Sequence, residues 1–77
     1  MAIPVNPETL LRRADAARAL SEVGYPMARA TLATLATRGG GPPFRRFGRV
    51  PLYQWGELLD WARSRLSPPM HSTGEAA

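Results

Sequence analysis

The chain has 77 residues and a net charge of +4; all ten of its basic residues are arginine, and it has no cysteine. A domain this short buries only about 60% of its unfolded surface, so one thin core is the most it can build. The missing cysteines exclude a disulfide framework and a thiolate metal site, His71 has no ligand neighbour in sequence, and the apolar runs are too short and broken for a signal peptide or membrane span.

Residues 1–8 hold two prolines and no periodicity, and read as a flexible lead. From Leu10 the pattern becomes helical. Leu10, Ala14, Ala17 and Leu20 recur at helical spacing, with Arg12, Arg13, Asp15, Arg18 and Glu22 between them, which predicts a first helix over 12–22 ended by Gly24-Tyr25-Pro26. A second helix is expected over 28–38, with Ala28, Leu32, Leu35 and Ala36 inward. Its other face carries Ala30, Ala33, Thr34, Thr37 and Arg38, mostly methyls and hydroxyls instead of the long charged side chains of an ordinary solvated helix. Such a smooth face can approach another surface closely. Gly39-Gly40-Gly41 closes this helix and Pro42-Pro43 forces an extended exit.

Phe44–Phe47 and Val50–Tyr53 are rich in aromatic and β-branched residues and predict a hairpin, with Gly48-Arg49 as a two-residue turn that needs positive φ at Gly48. Pro51 cannot donate to a ladder, which restricts its strand to an edge or an end. Residues 54–66 predict a third helix burying Trp55, Leu58, Leu59, Ala62 and Leu66, with Glu57 in its first turn and Arg63 and Arg65 in its last, as the helix dipole favours. Residues 67–77 lack an apolar repeat and are expected to be disordered.

Charge is unevenly spread. Between Val23 and Gly56 there are five arginines (Arg29, Arg38, Arg45, Arg46, Arg49) and no carboxylate, a surface suited to a polyanion. Arginine in place of lysine throughout partly reflects GC-rich coding, so the distribution is the signal and the total is not. Along a strand, side chains alternate faces, so Phe44 and Phe47 point to opposite sides and each brings one arginine with it. Two short helices, a hairpin and a packing helix predict a mostly α fold with a small β-hairpin: a winged helix-turn-helix over 9–66. The second helix then enters the major groove through Arg29, Ala30, Thr31, Ala33, Thr34, Thr37 and Arg38. The hairpin wing meets the backbone or minor groove through Arg45, Arg46 and Arg49, while Arg12 and Arg13 of the first helix touch the backbone. No Asn or Gln sits on the second helix, so base discrimination is expected to be modest and DNA shape to carry much of the preference. Trp55, Trp61, Tyr25 and Tyr53 are read as packing residues, and His71 as neither ligand nor catalyst. There is no nucleophile–base pair, no paired-carboxylate site and no phosphate loop, the three glycines lacking a flanking Lys-Ser; an enzyme, a cofactor and a metal are not expected.

Leu10-Leu11-Arg12-Arg13-Ala14-Asp15-Ala16-Ala17-Arg18-Ala19-Leu20, Thr31-Leu32, Gly39 through Arg49, and Leu52-Tyr53 followed by Glu57-Leu58 and Trp61 resemble the excisionase family, within the MerR-like winged helix superfamily. The resemblance covers about residues 9 to 66. It implies a recombination directionality factor of a prophage or integrative element, which binds adjacent repeats cooperatively, bends the DNA and assists an integrase, or a transcriptional regulator of such an element's genes. Its partners would be double-stranded DNA, a site-specific integrase and neighbouring copies bound side by side on repeats. It would act in the cytoplasm on the nucleoid, with no membrane, small-molecule substrate or chemistry of its own. The chain departs from the family where Arg12-Arg13 and Ala28-Arg29 replace Ser or Thr helix caps, and where Val50 replaces the second arginine of a Gly-Arg-Arg turn. A protein-interaction module or phage-encoded inhibitor is the alternative of another class; inhibitors that imitate DNA are usually acidic, the opposite of this surface.

Overall fold

The computed structural model describes residues 3–71. It is a mixed architecture of three helices and one three-stranded antiparallel sheet, in the order β1 (Leu10–Arg12), α1 (Arg13–Glu22), α2 (Arg29–Arg38), β2 (Arg45–Phe47), β3 (Val50–Gln54) and α3 (Trp55–Ser64). Strand β1 was not expected, and with it the sheet is more than a hairpin. Its residues run Leu10↔Gln54, Leu11↔Tyr53 and Arg12↔Leu52 along β3, so β3 lies between β1 and β2. The helical reading of Leu10 and Ala14 fails for this reason. A strand alternates faces, so Leu11 turns into the core while Leu10 stays half exposed, and Ala14, in the first turn of α1, is exposed.

The hairpin matches its expected turn. Gly48 has φ of 65°, and among the described residues no residue type but glycine takes positive φ, so Gly48-Arg49 is a type II′ turn with glycine at its first central position. Phe47↔Val50 closes it and Arg46↔Pro51 follows. In a two-residue hairpin the closing pair is hydrogen-bonded, so the Pro51 nitrogen points away from β2 toward the β1 side. There β1 has already ended opposite Leu52, and the central strand tolerates a proline because no ladder partner is missing.

Helix α1 ends in a Schellman motif: Tyr25 N–H donates to the Leu20 carbonyl (2.8 Å) and Gly24 N–H to that of Ser21 (3.3 Å), with Gly24 at φ of 106°. Ser21 ties the start of the next segment to this end, its hydroxyl accepting from Met27 N–H at 3.2 Å. None of the three helices has a side-chain N-cap, their cap residues being Arg12, Ala28 and Gln54. For α3 the chain supplies backbone acceptors instead. Trp55 N–H donates to the Thr9 carbonyl (2.9 Å) and Gly56 N–H to that of Pro7 (2.7 Å). A turn holds those carbonyls in place, with Asn6 Oδ1 accepting from Glu8 N–H at 2.8 Å and the Asn6 carbonyl from Thr9 N–H at 3.0 Å. Part of the expected flexible lead is therefore bonded to the domain, against a glycine whose added Cβ would lie 3.2 Å from Pro7 Cβ.

The core joins Leu11, Ala16, Ala17, Ala19 and Leu20 to Leu32, Tyr53, Trp55, Leu58 and Ala62. Three of the five apolar residues expected to be buried by α3 are buried, Leu59 is half-buried, and Leu66 is 63% exposed because the helix stops at Ser64. Trp61 is partly buried against the core, its indole N–H donating to the Gly40 carbonyl at 3.0 Å. Ala28, expected to face inward, is the exposed N-cap of α2. No helix among the described residues is long and apolar enough to cross a membrane. Ser67 to His71 carry no regular structure, and residues 72–77 of the expected disordered tail lie outside the described residues.

Candidate functional site

Because β1 ends at Arg12 and the chain turns directly into α1, the stretch of β3 beyond it has no neighbour on that side. An open cleft of about 440 Å³ lies there, with Val50 and Pro51 in its wall. Pro51 has no N–H to leave unpaired on this edge. Four guanidinium-bearing residues border the cleft: Arg12 and Arg13 from the strand-to-helix junction, Arg29 from the first position of α2, and Arg49 from the hairpin turn. Among the described residues no carboxylate lines it. Among the described residues Arg12, Arg29 and Arg49 make no ion pair. Two helices begin beside this cleft without side-chain caps, so their first N–H groups add positive potential to that of the guanidiniums.

Arg13 is the member fixed most firmly. Its Nε donates to the Tyr53 hydroxyl at 3.0 Å, and its guanidinium carbon lies 5.9 Å from the ring centroids of both Phe44 and Tyr53. Those rings are themselves in contact, 5.7 Å apart. One nitrogen and the π-faces thus hold the group, leaving its two terminal nitrogens to donate to a ligand.

Helix α2 extends the site. Arg29, Ala33 and Thr37 succeed one another at four-residue spacing and form one row. The row continues into a shallow groove bordered by Ala33, Thr34, Thr37 and Arg38. Thr37 Oγ1 donates to the Ala33 carbonyl at 3.2 Å, which leaves the oxygen as an acceptor toward solvent. Ala30 and Thr34 are exposed on the same side of the helix. Thr31 is not brought to this row. It borders a separate apolar groove between α2 and α3 with Tyr25, Met27, Leu35 and Trp61, because one residue before the buried Leu32 is a rotation of about 100° to the other flank.

The three hairpin arginines separate. Arg49 joins the cleft. Arg46 shares the face of Pro51, Tyr53 and Leu11, and its side chain is exposed. Arg45 lies on the opposite face, where its two terminal nitrogens fork onto the Glu57 carboxylate at 2.8 and 3.1 Å. That hydrogen bond holds the Glu57 carboxyl below its usual range and pushes the Arg45 guanidinium further up. A like-numbered split applies to the phenylalanines: Phe44 packs inward beside Tyr53, while Phe47 is 77% exposed.

Sequence reasoning missed Ala14, Val50 and Pro51 as parts of the cleft. The signal for Pro51 was present, since a proline inside a strand means that one side of that strand is open at that point. Among the described residues there is no group of three or more His, Asp or Glu that could hold a metal ion. In comparisons with known proteins, no family model matches the chain and no curated protein matches it.

Proposed function

We propose that this chain is a winged helix-turn-helix protein that binds double-stranded DNA and serves as an excisionase-type accessory factor of a mobile element. The observation that carries the reading is the meeting of Arg12, Arg13, Arg29 and Arg49 at one carboxylate-free cleft, continuous with the row Arg29, Ala33 and Thr37 on α2. In this reading α1 and α2 are the helix-turn-helix, held at their junction by the Schellman turn and Ser21, and β2–β3 is the wing. Helix α2 lies in the major groove, where alanine and threonine methyls meet thymine methyls. The cleft grips the phosphates beside that groove. Arg38 extends the contact at the far end, about 13 Å along the helix from Arg29.

Threonines and alanines without Asn or Gln offer little hydrogen-bond code, so preference for one sequence over another rests largely on DNA shape. A single module of this size covers about 600 to 1,000 Å² of protein–DNA interface, so tight occupancy needs several copies on adjacent repeats. A transcriptional regulator with the same fold would present the same surface. Two measurements test the reading. Fluorescence anisotropy with labelled duplex and single strand is expected to show salt-sensitive duplex binding, and absence of duplex binding at low salt overturns the proposal. An excision assay with the element's integrase is expected to show recombination that depends on this chain; binding without such dependence assigns the regulator instead.

A further inference from the structure

A buried phenol needs a partner for its hydroxyl, and Tyr53, 1% exposed in the core, finds it in the arginine at the first position of α1. Arg13 donates through Nε at 3.0 Å, and the rings of Tyr53 and Phe44 lie beside its guanidinium carbon, each centroid 5.9 Å away. With Nε engaged, the fork open to a ligand is the end-on one made by the two terminal nitrogens, and among the described residues neither of these has a partner. Arg12, Arg29 and Arg49 border the same cleft but are exposed, and among the described residues none of their side chains makes a hydrogen bond or ring contact. Three unheld cations therefore surround one that is held. The holder belongs to the other half of the molecule: Tyr53 lies on β3, two residues beyond Pro51 of the cleft wall and on the same face, and Phe44 leads into β2. Arg13 thus ties the first helix of the helix-turn-helix to the wing at the cleft.

We infer that Tyr53 is a positioning residue for DNA binding: its hydroxyl, backed by the Phe44 ring, sets the Arg13 guanidinium in advance, so that the end-on fork closes on one backbone phosphate and fixes where α1 and the wing sit along the strand. The inference rests on the DNA-binding reading above and goes beyond it by giving a binding role to a tyrosine that the sequence presents as packing. Immobilising a free long side chain on binding weakens affinity by about three- to tenfold, a loss that an already ordered Arg13 avoids. A bidentate fork also forms only with a phosphate in its plane, whereas an unheld cation follows the phosphate wherever it lies. Removing the tyrosine hydroxyl leaves the charge at the cleft unchanged, so as many counterions are released and the salt slope stays as it was while affinity falls. Loss of position and loss of charge are thereby separable.

The test uses the full chain and a labelled mixed-sequence duplex, titrated across a range of salt at a temperature where circular dichroism shows every variant folded. Tyr53→Phe is expected to give a line of log affinity against log salt parallel to that of wild type and displaced about three- to tenfold weaker. Arg13→Lys, which keeps the charge and loses the planar fork, is expected to do the same, whereas Arg13→Ala is expected to make the slope shallower by about 0.9. Adding Tyr53→Phe to Arg13→Ala is expected to weaken binding no further, because the hydroxyl then has nothing to position. Tyr53→Phe falling on the wild-type line overturns the inference while leaving DNA binding intact. An equal loss from Tyr53→Phe in the Arg13→Ala background also overturns it, since the hydroxyl then acts through the fold and not through Arg13. Failure of wild type to bind the duplex at low salt overturns the function itself, a result separable from the other two.

Discussion

Replacing Arg49 by alanine removes one of the four guanidiniums at the cleft and leaves the fold intact, since Arg49 sits exposed in a turn and makes no ion pair among the described residues. Each neutralised phosphate contributes about −0.9 to the slope of log affinity against log salt, so the four cleft arginines and Arg38 together give about −4.5. Between about 50 and 200 mM salt, the wild-type affinity then falls about 500-fold. Arg49→Ala lowers the slope to about −3.6 and the fall to about 150-fold, uniformly across DNA sequences. Arg29→Ala is expected to do the same. Arg45→Ala is expected to leave the slope where it was, because Glu57 already neutralises that guanidinium. Anisotropy titrations of labelled duplex across the salt range measure all three, with circular dichroism confirming the fold. An Arg49→Ala slope equal to that of wild type, or an Arg45→Ala slope reduced as much as that of Arg49→Ala, refutes the assignment of the cleft as the phosphate site.

Gly41→Ala places a Cβ 2.8 Å from Leu35 Cβ and is expected to cost about 1–3 kcal/mol in urea unfolding, as overpacking does. Tyr53→Phe removes the acceptor for Arg13 Nε while keeping the buried ring; a loss of about 0.5–1.5 kcal/mol is expected, read as a melting shift of about 4–8 °C per kcal/mol. A chain that starts at Glu8 strips the Pro7 carbonyl from Gly56 N–H and is expected to lose about 1 kcal/mol in the same assay. Glu57 has its carboxyl held low by Arg45, so the pair's contribution is present above the usual carboxylate range and is lost as pH falls through the lowered value. Melting temperatures of wild type and Glu57→Gln are accordingly expected to differ at neutral pH and converge in acid.

Local chemistry alone determined the helices, the hairpin turn and the bias of charge. Gly24 and Gly48 mark positions only glycine occupies easily, Leu32 and Leu58 recur with the helical period, and the absence of carboxylates between Val23 and Gly56 needs no fold to be seen. Tertiary pairing decided the rest. Leu10-Leu11-Arg12 is too short to announce itself as a strand, and only alignment with Leu52–Gln54 makes it one, which ends the helical pattern and moves Leu10 and Ala14 out of the core. Alternation along β2 put Arg45 and Arg46 on opposite faces as sequence implied, yet which face met Glu57 depended on where α3 packed. The cleft itself lies between residues up to 39 positions apart, Arg12 and Pro51, brought together because β1 stops one residue short of the proline. Period and turn chemistry act within a few residues, whereas a site assembled from a strand end, two helix starts and a turn exists only after non-local contacts have formed.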